Sequence, residues 1–399
     1  MYNVRNVTDD IVWIGASDRR LALFENIFPI PRGVSYNSYV LLDEKTVLFD
    51  TVDASVAGQF FENLSHVLGD RKLDYLVVNH MEPDHCAMIG DIVRRYPEVQ
   101  VVGNAKTFGM MQQFFGTDFS GQAITVKEGD TLSTGDHVLH FVMAPMVHWP
   151  EAMVTYDETD KVLFSADGFG TFGALNGNIF ADELDFDRDW LDDARRYYTN
   201  IVGKYGASVQ TLLRKAAGLD IAIICPLHGP VWRENLGYIL DKYQKWSNYE
   251  AEDTAVVILY ASMYGNTASA VDALAGALAR RGVKKIAVYD VSNTHVSELI
   301  SEIFRASHLV FATPTYNGGL YPVMENLFAD MKALAVQKKT VALLENGTWA
   351  VTAARQMREK LAQMRDMNVL DTQISVKSAM RAEQSGEVEE LAEAIVASM

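Results

Sequence analysis

From residue 254 to the C terminus the chain alternates five times between an apolar strand-like run and a helical stretch. The runs fall at 254–261, 284–291, 308–314, 339–346 and 372–378, and the helical stretches at about 267–281, 295–306, 322–335, 351–365 and 387–398. Five βα units of this size have one economical solution, a doubly wound five-stranded parallel sheet with helices on both faces. This half is therefore expected to be an α/β domain.

The first half reads differently. From Asp10 to about Ala166 the runs are short and β-rich, as in Ile11–Gly15, Ser38–Leu42, Thr46–Asp50 and Val138–Val142, with turn residues such as Asp43-Glu44-Lys45 and Glu128-Gly129-Asp130 between them. Helical stretches intervene at about 54–68, 87–96 and 105–115, and 187–218 reads as two more helices before the strand 220–225. Strand runs with helices interleaved in both parts predict two sheets sandwiched between helices, an αββα arrangement. The polar, acidic segment Trp246–Asp253 interrupts the pattern, so the domains are expected to span 1–250 and 254–399.

A chain of 399 residues can bury two such cores. With 35 basic against 52 acidic residues the formal charge is −17, which argues against nucleic acid and anionic membrane as partners. Met1–Asp10 lacks the apolar core of a signal peptide, and no apolar run approaches bilayer length. Two cysteines, Cys86 and Cys225, cannot build a disulfide framework. Together these predict a cytoplasmic protein.

Chemistry concentrates in His80-Met81-Glu82-Pro83-Asp84-His85, directly after the apolar run Leu73–Val78. A loop leaving the end of a buried strand is held by a rigid sheet and is where binding residues collect. Side chains two apart in an extended segment point the same way, so His80 and Glu82 can share one metal while Asp84 and His85 face a second. Three more residues stand at strand ends on glycine- or proline-marked turns or beside them: His148 before Trp149-Pro150, Asp167 after Val162–Ala166, and His228 in Pro226-Leu227-His228-Gly229-Pro230. His137 and His140 lie along one strand run and His66, His295 and His308 have no companion ligands, so all five read as structural or surface residues. Cys86 is expected to point away from the cluster and Cys225 to be core.

This order of ligands resembles the metallo-β-lactamase fold, with one change. The zinc hydrolases of that fold carry His-x-His-x-Asp-His, whereas the second histidine is here Glu82. The resemblance implies His80, Glu82 and His148 on one metal, Asp84, His85 and His228 on the other, and Asp167 between them. Mixed imidazole and carboxylate ligation suits iron.

In the second half, Ser262-Met263-Tyr264-Gly265-Asn266-Thr267 lies between a strand and a helix N terminus, where exposed amides and the helix dipole favour phosphate. No Gly-Lys-Ser/Thr follows and no Gly-x-Gly-x-x-Gly occurs there, which argues against a Walker loop and a dinucleotide site. The spacing resembles the flavodoxin phosphate loop, Thr/Ser-x-Thr-Gly-x-Thr, with Tyr264 at the central threonine. Two further strand-end loops, carrying Pro314, Thr315, Tyr316, Asn317 and Gly318 and then Asn346, Gly347, Thr348 and Trp349, correspond to those that hold the flavin ring in flavodoxin-like domains. FMN is the cofactor this implies, with Tyr316 and Trp349 as ring partners.

A metallo-β-lactamase-like domain with His-x-Glu-x-Asp-His, joined in this order to a flavodoxin-like domain, resembles the flavodiiron proteins over nearly the whole chain. That family implies an oxidoreductase with two irons and FMN, reducing dioxygen to water, nitric oxide to nitrous oxide, or both. It implies head-to-tail homodimers or dimers of dimers. Two cysteines cannot supply an appended rubredoxin, which needs four, so an external donor such as rubredoxin or a rubredoxin reductase is expected. Two rival readings are a dizinc hydrolase fused to a flavodoxin and an electron carrier whose metal site is structural.

Overall fold

The computed structural model describes residues 1–399. The chain divides into two compact units, one of Met1–Tyr198 with Tyr205–Gln244 and one of Thr199–Lys204 with Lys245–Met399.

In the first unit a seven-stranded sheet runs in the order Arg5–Asn6, Ile11–Trp13, Tyr39–Leu42, Thr46–Phe49, Tyr75–Val77, Gln100–Gly103 and Ala123–Thr125. Its first four strands pair antiparallel; from Thr46–Phe49 onward the pairs are parallel. Parallel neighbours cannot be joined by a tight turn. The helices Ala57–Leu68, Ile89–Arg95 and Ala105–Phe115 are the connections. A second sheet has five strands, Thr131–Ser133, Val138–Met143, Met153–Asp157, Val162–Phe164 and Ile223–Cys225, the last pair parallel.

The inward faces of both sheets meet in one core. Tyr39, Val47, Phe49, Val77 and Val102 come from the larger sheet, and Leu139, Phe141, Met153, Phe164 and Cys225 from the smaller. Phe49 and Phe164 stack across the seam with ring centroids 3.7 Å apart. Thr46–Phe49 is buried at every position, which places it centrally, covered by helix on one face and sheet on the other. Each fully buried aliphatic or aromatic side chain contributes roughly 1.5–3 kcal/mol. That core fixes the strand ends from which the chemistry projects.

Two local expectations change. Residues 187–218 form three α-helical pieces, Phe186–Asp189, Leu191–Tyr197 and Gly206–Ala216, with irregular helical turns between the last two. A further helix, Leu236–Ser247, carries the buried Ile239, Tyr243 and Trp246 at helical spacing, a signal that its many polar residues obscure.

In the second unit five parallel strands lie in the order Ile286–Asp290, Asp253–Tyr260, Ala306–Tyr316, Lys339–Asn346 and Met367–Val376. The helices Asn266–Arg280 and Ser385–Ala397 cover one face through Val271, Leu274, Leu391 and Ile395. Val296–Arg305, Pro322–Ala333 and Ala353–Leu361 cover the other through Ile300, Phe328 and Met357. Successive strands are added on one side of Asp253–Tyr260 and then on the other, and such a switch point opens a crevice beyond the carboxyl ends of the strands. No helix of either unit is long and apolar enough to cross a membrane.

Candidate metal centre and flavin cleft

His80 follows the strand Tyr75–Val77, and Pro83 then opens a single helical turn, Pro83–Cys86, so Asp84 and His85 sit on a turn rather than on extended chain. Proline suits this position because the first amides of a helix have no internal partner. Thr51 fixes the turn by donating its amide (2.8 Å) and hydroxyl (2.6 Å) to the His85 carbonyl. Cys86 turns away and donates its thiol to the Met81 carbonyl, while Cys225 is part of the inter-sheet core.

The strand ends bring the seven candidate ligands together in two groups. His80, Glu82, His148 and Asp167 form one, and Asp84, His85 and His228 the other. In the first, His148 Nε2 lies 2.9 Å from Glu82 Oε2, and His80 Nε2 lies 3.4 Å from it. Asp167 Oδ2 is 3.2 Å from both of those imidazole nitrogens. In the second, Asp84 Oδ2 is 3.4 Å from His85 Nε2 and 3.3 Å from His228 Nε2, and those two nitrogens are 3.0 Å apart. The other oxygen of Asp167, Oδ1, faces this group at 3.2 Å from His85 and 3.7 Å from His228. Donors each about 2.1 Å from a common ion stand about 3.0–3.4 Å from one another, and the separations found, 2.9–3.7 Å, centre on that range.

Fit to a metal rests on unpaired atoms. His80 Nε2, both Asp84 oxygens and both Asp167 oxygens are buried without a hydrogen-bond partner. Buried polar groups left unpaired cost about 1–3 kcal/mol each, more when charged. Cations between them would satisfy all five. Electrostatics point the same way: burial alone would raise the Asp167 carboxyl, but the His80 and His85 imidazoles hold it well below its ordinary range. Burial would lower His148, yet Asp167 and Glu82 push it up to about 9.

A second ring of contacts, not anticipated from sequence, orients the imidazoles. Glu151, buried beside the turn, accepts from His80 Nδ1 at 2.9 Å and from the Met81 amide at 2.8 Å. The Ser35 carbonyl accepts from His228 Nδ1 at 2.7 Å. With Nδ1 engaged in each case, Nε2 is the atom left to face the centre. Asp50, at the end of Thr46–Phe49, accepts from the His80 amide (3.1 Å) and the Asn79 amide (2.7 Å), and burial raises it to about 6. Adjacency to His148 hinted at Glu151, and the strand-end rule could have found Asp50. Gly229 has φ +77°, and a Cβ there would come within 2.1 Å of Thr171 Cγ2, so the turn presenting His228 requires glycine.

Over the centre lies the hairpin Leu23–Phe24 with Phe28–Pro29, which seats Phe24 edge-on against His228 at 5.4 Å. Glu25, at its exposed tip, turns its carboxyl toward Glu82; burial of that end and the neighbouring carboxylate raise it to about 8. Tyr197 is fully buried, its ring 5.4 Å from His228, and its hydroxyl has no partner. The remaining histidines lie elsewhere: His137 bonds Asp157 and also stands beside Asp10 and Asp160, His140 bonds Glu158, His66 stacks on Tyr2, His295 caps a helix and His308 contacts Ser307.

In the second unit a cleft of about 360 Å3 opens at the switch point, lined by three strand-end loops. Ser262, Met263, Tyr264, Asn266 and Thr267 form one wall. Pro314, Thr315, Asn317, Gly318, Asn346, Gly347, Thr348 and Trp349 form most of the rest. Gly265 lies outside the wall and, at φ +89°, turns the chain into the helix Asn266–Arg280, whose N-cap position therefore carries no side chain. Ser262 Oγ stiffens this loop by accepting from the amides of Gly265 and Ala268 at 3.1 and 3.4 Å. The first amides of a helix, here those of Asn266 and Thr267 beside the Ser262 hydroxyl, fit a phosphate. Trp349 and Tyr264 are 93% and 90% exposed, offering bare ring faces that fit a planar heterocycle. Tyr316 is not in the wall; it packs edge-on against Tyr321 at 5.5 Å. Ala350 and Ser378 line the cleft and were not foreseen, although Ser378 follows the fifth strand as the other loops follow theirs.

Residues 34–229 match the family described as ODP family beta lactamase, and residues 258–391 match Flavodoxin. The anaerobic nitric oxide reductase flavorubredoxin of Vibrio vulnificus is 30% identical over 94% of this chain and 76% of its own. Rubredoxin oxygen:oxidoreductase of Desulfovibrio gigas superposes with a TM-score of 0.91 at 28% identity, over 99% of this chain and 98% of its own. The flavodiiron protein of Giardia intestinalis has the same fold, with a TM-score of 0.93 at 24% identity over 100% and 98% of the two chains. Two units in this order, with that identity across nearly the full length, make the chain a member of the flavodiiron protein family.

Proposed function

We propose that this chain reduces dioxygen to water, nitric oxide to nitrous oxide, or both, at a diiron centre held by His80, Glu82, Asp84, His85, His148, Asp167 and His228. The observation that carries this reading is the split of Asp167, one oxygen toward each group of buried, unpaired donors. The likeness to a nitric oxide reductase and to an oxygen oxidoreductase supports it. Three carboxylates among seven ligands favour iron over zinc, and with it reduction over hydrolysis. When bound, FMN supplies one-electron transfer and the two irons hold and reduce the gas.

The chain's own residues prepare that chemistry. Glu151 and the Ser35 carbonyl lock His80 and His228 as Nδ1–H tautomers with Nε2 free for metal. Phe24, Phe172 and Tyr197 wall the His228 side of the centre with rings and exclude water there. The unpartnered Tyr197 hydroxyl supplies a donor beside that wall. In the second unit, the amides at the start of Asn266–Arg280 would hold the phosphate of FMN, and the exposed ring of Trp349 would offer its flavin a face.

Reduction of O2 to two waters takes four electrons and four protons; coupling two NO to N2O and water takes two of each. The reading includes a rubredoxin-type donor, a cytoplasmic setting and a homodimer in which the flavin of one subunit serves the iron of the other. Anaerobic consumption of each gas by the reduced protein, measured with iron and FMN content and oligomeric state, tests it. Rapid uptake of either gas at about two irons and one FMN per chain is expected. No uptake at full loading would refute it.

A further inference from the structure

Behind the metal-facing turns the first unit contains a largely enclosed cavity of about 20 Å3. Its inner end is formed by Val147 and Gly168, the chain neighbours of His148 and Asp167. Val154, Phe169, Val209 and Leu212 form its walls, and the half-buried Leu213 and Ala216 of the helix Gly206–Ala216 close the outer side. Two polar side chains touch it, and both are turned to other work. Ser165 donates its hydroxyl to the Gly168 carbonyl at 2.7 Å, and the Tyr243 hydroxyl accepts from the Phe169 amide at 2.5 Å. The cavity therefore presents a carbon surface. The space is large enough to admit a small guest. Water needs two to four polar partners to enter such a site, and apolar cavities of this kind stay dry and accept gases instead.

We infer that this cavity is a gas-holding site, taking one O2 or NO from the α-helical side and releasing it to the metal centre past the turns of His148 and Asp167. The inference rests on the reductase reading for the identity of the gas, but not for the binding itself. A weakly polar diatomic gains by leaving water for a carbon-lined space, and no strong contact there holds it back from the centre. The site thus raises the local concentration of substrate without competing with the metal for it.

Crystals of the iron- and FMN-loaded protein under xenon pressure, with steady-state kinetics on both gases, test the inference. Xenon is expected in the cavity of the parent protein and to be lost in Val209→Phe, which fills it from the helix. Ala216→Leu, at the half-buried outer side where added bulk is easily accommodated, is the second variant. Both are expected to keep iron and FMN while the apparent KM for the gas rises about threefold or more and kcat changes less than about twofold. No xenon in the parent cavity would overturn the inference, as would gas kinetics unchanged in a Val209→Phe protein that excludes xenon. Should the loaded parent consume neither gas, the reductase reading fails and the delivery role with it, whether or not xenon binds.

Discussion

Replacing Glu151 by glutamine tests whether the metal centre depends on a carboxylate that touches no metal-facing atom. Glu151 is buried and accepts from His80 Nδ1 at 2.9 Å and the Met81 amide at 2.8 Å. Burial alone would raise its carboxyl; the His80 imidazole and the Met81 amide hold it below the ordinary value, so it is ionised at neutral pH. Glutamine keeps the shape and one accepting oxygen but loses the charge that makes His80 Nε2 a better donor. Loss of such an outer partner lowers metal affinity about 10- to 100-fold, or roughly 1.4–2.8 kcal/mol at about 1.4 kcal/mol per decade. Alanine should cost more, because the buried histidine would lose its partner altogether. The assay is iron retention against a graded chelator, with circular dichroism to show that the fold is kept. A folded Glu151→Gln protein that holds iron as tightly as the parent would refute the reasoning.

Three other outcomes are expected. Tyr197→Phe removes a buried hydroxyl without a partner, so stability should hold or rise by up to about 1 kcal/mol while kcat/KM for the gas falls roughly tenfold; unchanged turnover would show that the hydroxyl serves only packing. Trp349→Ala should weaken FMN about 3- to 10-fold, the worth of one aromatic stack, read from the fluorescence of released flavin. Lys339 is buried with Nζ donating to the carbonyls of Phe304 and Ala306, and burial lowers it from 10.5 to about 7. Because the unfolded lysine binds its proton more tightly, the second unit should gain stability as pH rises from about 7 toward 10.5, by at most about 1.4 kcal/mol per unit. A Lys339→Met protein with the same pH profile in denaturant melts would remove the lysine as the cause.

Which features could be read in the chain follows from the range of the forces that set them. Strand and helix in the second unit were legible because periodicity and turn chemistry are local, and the same holds for the strand ends that carry His80, His148, Asp167 and His228. The helix Leu236–Ser247 escaped because its apolar spacing is diluted by polar residues, and the two helices expected within 187–218 are three pieces, with irregular turns where local propensity alone would continue the helix.

Sequence by itself determined the ligand types, their spacing around Pro83 and the order of the two units. Only the tertiary structure decided how they combine. Asp167 turns one oxygen to each group of donors because two sheets fix the separation of strand ends remote in sequence. Glu151 and Ser35 reach His80 and His228 across 71 and 193 positions, a pairing that no local pattern encodes. Gly265 and Tyr316 fell outside the cleft wall and Ser378 inside it, since side-chain direction at a loop depends on what the next loop leaves open. The carbon-lined cavity beneath Gly206–Ala216 has no sequence signature at all, being the space that helix and sheet leave between them.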